Sequence, residues 1–584
     1  MKTLLITVAI ATAMTLTACS NQRPHPAPAE EPQSVSTKKI EQSGSQATYR
    51  QHQAVDQQAM TQSSPQIDAQ SMEPGILPLP VRAKAEHKIA SDVAGLSYHE
   101  IQPAREITDR ENYLYFDENG VKLASETPVS TFSIDVDTAA YSNIRRMLMR
   151  EGRLPPKDAV KIEELVNYFS YDYASPDSLD APFSVSTEIA QAPWNPDKHL
   201  LQIGLAGYQP DIKDRPQANL VFLIDVSGSM QDPDKLGLVK RSLNLLIEQM
   251  DHADRVALVV YAGAAGVVLD STLVSEKRRI RNAINHLTAG GSTNGGAGIR
   301  LAYDIATEHL IKGGINRVII ASDGDMNVGT VNLEALKNLV EQNRQSGVSL
   351  TTLGFGSGNY NYALMEQLAD IGNGNAAYID SIREAQKVLV NEMQSTLLTI
   401  AKDVKIQVEF NPAVISEYRL IGYENRMLNR EDFSNDKVDA GEIGAGHTVT
   451  ALYEVVLTNS QENMISGLRY GSTTTMENNN INNELAYVRL RYKKPDEKNS
   501  IEFARPIYVD QIKPDMKRAS QNLRFASAVA GFGQLLRGGK FTANWNFDQA
   551  IRLAISARGN DRHGYRSEFV SMAQLAKSYS AGQG

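Results

Sequence analysis

Cysteine is all but absent, since the 584 residues contain one, Cys19. A lone thiol forms no internal disulfide, so an exported chain of this kind must be held together by ordinary apolar cores. A basic excess is missing as well. Lys and Arg total 59 against 68 Asp and Glu, a formal net charge of −9, and with no positive surplus to offset phosphate repulsion nucleic acid is excluded as the main partner. After the first 18 residues no apolar run is long enough to cross a bilayer. Several catalytic signatures are lacking: there is no G-x-x-x-x-G-K-[ST], no G-x-S-x-G around Ser227 or Ser229, and His99-Glu100 is followed by Pro103 where a zinc protease needs its second histidine. "GFGSGN", residues 354–359, lacks the third glycine of a dinucleotide fingerprint.

What is present begins with "MKTLLITVAIATAMTLTACSNQ", one Lys followed by an uncharged stretch from Leu4 to Leu16. A helix of that length spans about 20 Å against a hydrocarbon core of about 30 Å, so the segment reads as a signal peptide over residues 1–18. Leu16-Thr17-Ala18-Cys19 resembles the lipobox of bacterial lipoproteins. That resemblance implies cleavage before Cys19 and its acylation, with enough buried methylenes at about 0.8 kcal/mol each for stable anchoring. Ser20 in the next position implies, by the same resemblance, the outer membrane facing the periplasm, with the inner membrane as the alternative. Residues 19–104, rich in Gln, Ser, Pro and Ala, are expected to be a disordered tether, because so few large apolar side chains cannot offset the entropy of ordering.

Three further regions follow. Residues 105–216 hold a short strand around Ser130 to Val136, a helix with Ile162, Leu165, Val166 and Phe169 at helical spacing, and the alternating segments "FSVSTEIAQAPW" and "KHLLQIGLAGY". Residues 217–396 change to continuous apolar strands, "NLVFLID", "RVALVVYA", "RVIIAS" and "VSLTTLGFG", separated by helical stretches at 277–287, 298–311 and 333–344. Uninterrupted apolar strands joined by helices mean a mostly parallel sheet covered on both faces, a doubly wound α/β domain. Residues 397–584 return to period-two strands, "VKIQVEFNP", "EYRLIGYEN", "HTVTALYEVVLT" and "NELAYVRLRYKKP", and close with helices that include Phe525, Val529, Phe532 and Leu536 on one face. Because strands of the same kind flank the α/β unit, that unit is expected to be inserted in a mainly antiparallel β-sandwich.

The chemistry concentrates where "LIDVSGSM" ends a strand. In open parallel sheets ligands bind beyond the carboxyl ends of the strands. Asp225, Ser227 and Ser229 leave the first strand there, Thr293 lies in the Gly-rich "TAGGSTNGGAGI", and Asp323 follows the strand "VIIAS". Carboxylates and hydroxyls without His or Cys are hard oxygen ligands suited to Mg²⁺ or Mn²⁺ rather than Zn²⁺. Together these five residues resemble the metal-ion-dependent adhesion site of von Willebrand factor type A domains. The resemblance implies that the hydroxyls of Ser227, Ser229 and, with ligand bound, Thr293 contact a divalent cation (Mg²⁺ first, Mn²⁺ or Ca²⁺ as alternatives), that Asp225 and Asp323 act largely through water, and that an Asp or Glu of a partner protein completes the shell. Asp325 reads as a solvated or outer carboxylate. Over roughly residues 107 to 580 the chain also resembles the YfbK-type von Willebrand factor A lipoproteins, a likeness that implies architecture and names no partner.

The expectation is therefore a non-enzymatic, envelope-anchored binding protein. A rival from another class rests on Asp135-Val136-Asp137-Thr138, which after "STFSI" reads like the D-x-D-x-T loop of haloacid-dehalogenase phosphatases; the plainer alternative is a helix start capped by Asp137 or Thr138. A purely structural lipoprotein is the third reading, and His286 is expected to be an ordinary helix end.

Overall fold

The computed structural model describes residues 111–211, 214–291, 295–324, 333–460, 463–465, 483–495 and 497–582, all within one compact unit running from Glu100 to Gly584. The signal peptide, Cys19, the tether expected up to residue 104, Thr293 and Asp325 lie outside the described residues.

Two sheets interleave strands that precede and follow the α/β segment. In one, Thr448–Leu457 lies between Ile415–Ile421 and His199–Gly207, and the latter pairs in turn with Phe183–Gln191, all antiparallel. In the other, Thr399–Phe410 lies between Val129–Ser133 and Glu484–Lys493, which pairs with Ile501–Tyr508. Side chains from both, among them Phe132, Leu201, Ile203, Ile406, Val408, Phe410, Tyr453 and Val488, fill one buried core. This is the sandwich that the alternating segments call for. The chain leaves it after Gly207 and re-enters at Thr399, so the α/β domain is an insertion.

Helices on either side of the insertion also share a core. Ala139–Arg146 and Ile162–Asn167 pack with Gln521–Leu536, Phe547–Ser556 and Tyr565–Ala581. Phe169 meets Phe525 edge to face at 4.9 Å and Phe532 meets Phe569 at 5.2 Å, the offset geometry that aromatic quadrupoles favour. The stripe Phe525, Val529 and Phe532 is fully buried.

Within the insertion the strands run in the spatial order Ala376–Ile379, Ser349–Phe355, Ile315–Ser322, Ala218–Asp225, Arg255–Tyr261, Ala265–Leu273, parallel except for the last. Leu220, Phe222 and Ile224 enter the core on one face, Val221 and Leu223 that on the other. Burial on both sides at roughly 1.5–3 kcal/mol per large apolar side chain fixes the strand against slippage. The chain moves one way from the central strand to Arg255–Tyr261 and returns to Ile315–Ser322 on the other side. The switch point therefore falls between the carboxyl ends that carry Asp225 and Asp323. Elements not expected from sequence include the edge strand Ala265–Leu273, the helix Tyr362–Ile371 and the strand Ala376–Ile379. Among the described residues no helix is long and apolar enough to cross a membrane.

Candidate metal centre at the carboxyl edge of the inserted sheet

The first carboxylate is set by its own turn. Asp225 is fully buried; its Oδ1 accepts the backbone N–H of Ser227 at 2.9 Å, while its Oδ2 accepts the hydroxyls of Tyr261 at 3.1 Å and Ser322 at 3.0 Å. Those donors come from the strands on either side, so the carboxylate is bolted to three neighbouring strands. Burial pushes the Asp225 carboxyl above its ordinary range, hydrogen bonds from Ser227 oppose that shift, and the charge of Asp323 adds to it.

The turn then presents two hydroxyls. Ser227 is buried, Ser229 is half-buried, and their Oγ atoms stand 3.0 Å apart within hydrogen-bonding distance. Neighbouring vertices of an octahedron with ligands at about 2.1 Å are also about 3 Å apart. The donor set, two hydroxyls beside two buried carboxylates, therefore fits a hard divalent cation in both chemistry and spacing.

Backbone bonds bring the second loop in. Gly228 N–H donates to Gly291 O at 3.0 Å and Gly290 N–H to Val226 O at 2.7 Å, which staples the loop that carries Thr293 to the serine turn two residues before Thr293 itself. The helix that follows, Gly295–Glu308, lies tight on the sheet: a Cβ at Gly298 would come within 2.9 Å of the Leu223 side chain.

Asp323 is fully buried and accepts from two groups that sequence reasoning missed. Lys235 Nζ and Asn359 Nδ2 both reach Asp323 Oδ2 at 3.0 Å, and Lys235 Nζ also donates to Asn359 Oδ1 at 3.0 Å. Asn359 comes from "GFGSGN", so the glycine-rich turn rejected as a dinucleotide site braces this edge instead. The available signal was a lysine at the start of an apolar helix, Leu236–Gln249, where its charge opposes the helix dipole and needs a partner. Asp225, Ser227, Ser229 and Asp323 are thus gathered on one edge. Among the described residues no group of three or more His, Cys, Asp or Glu side chains could hold a metal.

The rival pair lies elsewhere and is closed. Asp135 and Asp137 are 3% and 2% exposed. Arg426 binds Asp135 Oδ2 at 3.1 Å, Asp137 Oδ2 at 3.2 Å and Asp370 Oδ2 at 2.8 Å, and Ala376 N–H donates to Asp137 Oδ1 at 2.7 Å. Lys161, the nearby cation, pairs with Glu366 and Glu164. A phosphatase nucleophile needs an open face for in-line attack, and this pair is roofed by a guanidinium at the seam between the inserted domain and its frame. The capped-helix alternative is corrected in part: Thr138 occupies the N-cap without a side-chain bond, and the carboxylate of Glu164 accepts from Ala140 N–H at 2.8 Å instead. His286 follows the helix Lys277–Asn285, exposed, with Nδ1 2.6 Å from Asn282 O, an ordinary helix end.

Three family models match the chain: "von Willebrand factor" over residues 107–202, "von Willebrand factor type A domain" over 219–392, and "Uncharacterized protein YfbK, C-terminal" over 395–579. YfbK of Escherichia coli (strain K12) is 46% identical over 472 residues, 80% of either chain. The chain belongs to the YfbK family. Its members carry a von Willebrand factor type A domain, which supports a role in protein–protein interaction. The human inter-alpha-trypsin inhibitor heavy chain H4 is 30% identical over 168 residues, 27% of this chain and 18% of that protein. Among solved structures, a von Willebrand factor type A protein from Catenulispora acidiphila covers 68% of this chain and 91% of its own at 16% identity, with a TM-score of 0.39.

Proposed function

We propose that this YfbK-family chain is an envelope lipoprotein that grips a protein partner through a divalent cation at the carboxyl edge of its inserted domain. Asp225, Ser227, Ser229, Thr293 and Asp323 would hold the ion, Mg²⁺ first and Mn²⁺ or Ca²⁺ as alternatives. The observation that carries the proposal is the pair of Ser227 and Ser229 hydroxyls 3.0 Å apart beside the buried Asp225 and Asp323 carboxylates. When bound, the ion supplies a Lewis-acidic position for a carboxylate oxygen of the partner.

The chain's own part is positional. Tyr261 and Ser322 hold Asp225 in place, the Gly228 to Gly291 bond keeps the serine and threonine loops together, and Lys235 with Asn359 aims Asp323. Neutral hydroxyls leave a cation short of negative charge, so an Asp or Glu of the partner is the favoured last ligand. Acylated Cys19 would anchor the chain in the outer membrane, facing the periplasm, and residues 19–104 would give it reach.

The test is affinity capture from envelope extracts on the chain from residue 107 onward, run in Mg²⁺, in EDTA and with Asp225→Ala. Proteins held only by the wild type in Mg²⁺ support the proposal and identify the partner. Retention indifferent to both EDTA and the substitution moves partner binding to the sandwich.

A further inference from the structure

The adhesion edge contains a cation of its own. Lys235 is 5% exposed, and its ammonium sits 3.0 Å from both Asp323 Oδ2 and Asn359 Oδ1. The packing around its stem is equally specific. Gly356 has φ +76°, and a Cβ there would lie 2.4 Å from Lys235 Cε, so the glycine makes room for the lysine. The residue occupies the N-cap of Leu236–Gln249, and its side chain makes no capping bond. A positive charge at a helix N-terminus has the wrong sign for the dipole. Nothing about helix formation calls for it there.

Charge bookkeeping shows what it does. Among the described residues the site presents two carboxylates, Asp225 and Asp323, and one ammonium, a single net negative charge. A divalent ion placed on that set leaves one positive charge in excess, and only an anionic ligand neutralises it. Without the lysine the loaded site would be neutral.

We infer that Lys235 is a resident counter-ion of the adhesion site, which keeps Asp323 in position in the metal-free chain, weakens the hold on the divalent ion, and makes the loaded site more demanding of a carboxylate. This rests on the metal reading of the site. Lys235 touches neither partner nor metal in this scheme; it is a positioning residue that acts through Asp323.

The test is an electron paramagnetic resonance titration of the full chain with Mn²⁺, with and without acetate as the carboxylate probe, on the wild type and Lys235→Met. Removing a like charge next to a divalent site should tighten Mn²⁺ binding on the order of tenfold, while acetate should tighten Mn²⁺ binding less in the variant than in the wild type. A lysine with a merely structural role gives the opposite sign, because a disturbed Asp323 binds Mn²⁺ more weakly. If Lys235→Met does not fold by circular dichroism, Lys235→Gln, which retains a donor for Asp323, is read the same way. Equal or weaker Mn²⁺ affinity in a folded variant overturns the inference and leaves the metal site standing. No Mn²⁺ binding by wild type or variant removes the metal reading, and the inference falls with it.

Discussion

Two turns in this chain are locally alike and globally opposite. Asp135 and Asp225 each stand at the carboxyl end of a mostly buried strand, each is buried, and each Oδ1 accepts the backbone N–H two residues on at 2.9 Å. After Asp135 the next acceptor is another carboxylate, Asp137, and Arg426 covers both. After Asp225 come two hydroxyls, and the cation nearby, Lys235, lies on Asp323. The same turn is sealed in one place by a charge the chain supplies, and in the other would, on the proposed reading, take a cation from solution. What separates the two sites is the counter-charge, not the turn or the burial of its carboxylates.

The comparison breaks most severely at Arg426. Arg426→Met leaves the buried Asp135 and Asp137, and the partly exposed Asp370, without their shared cation, and loss of one partner from a buried ionic network costs about 3–5 kcal/mol. Denaturant unfolding should register that loss while Mn²⁺ affinity stays unchanged; a loss under about 1 kcal/mol would mean that the seam is not what secures the inserted domain.

The seam should also make stability depend on pH. Burial is the first cause that pushes Glu163 up to about 8 and Glu164 to about 7. The charge of Glu424 adds to the shift of Glu163, and Lys161 holds down that of Glu164. Because the folded values lie above the unfolded ones, the native state keeps protons that the unfolded chain has released. Stability therefore falls as pH rises from about 4.5 to about 8, by about 1.4 kcal/mol per pH unit for each group protonated only in the native state. Melting temperatures measured from pH 5.5 to 8.5 should decline, and Glu163→Gln should flatten the decline; a variant as steep as the wild type would assign the slope to other groups.

At the Asp225 turn the expected effects move from stability to binding. Asp225→Ala removes the carboxylate that orients Ser227 and should lower Mn²⁺ affinity about 10–100-fold, the usual range for groups that act on a metal through its ligands. Unchanged affinity in a calorimetric titration would place the ion elsewhere. The smallest effect is expected for Ser229→Ala, where the metal-free chain should melt within about 0.5 kcal/mol of wild type. The hydroxyl is half-buried and, among the described residues, lies within hydrogen-bonding distance of Ser227. A larger loss would give Ser229 a part in folding as well as in binding.

What the sequence made legible was local. The apolar run that ends at Asp225 specified a doubly buried strand, and the alternate spacing of Asp225, Ser227 and Ser229 specified a turn presenting oxygen atoms. Period-two strands on both sides of the α/β segment made the insertion readable too. The strand Ala265–Leu273 stayed hidden because, as the outer edge of the sheet, it mixes buried Leu269 with exposed Val267 and Val268, so it shows no continuous apolar run. The charges that separate the two turns were hidden by distance along the chain. Lys235 meets Asp323 across 88 positions and Arg426 meets Asp135 across 291, and no periodicity links residues so far apart. The cap of the helix Ala139–Arg146 was missed for the same reason: its acceptor, Glu164, arrives from another helix.

The most direct measurement is anomalous diffraction from crystals of the chain soaked in Mn²⁺. A single strong peak at about 2.2 Å from the Oγ atoms of both Ser227 and Ser229, lost in Asp225→Ala crystals, is the expected result. Well-diffracting crystals with no peak there, or with manganese bound only at another place, would contradict the claim that this edge is a metal-dependent adhesion site.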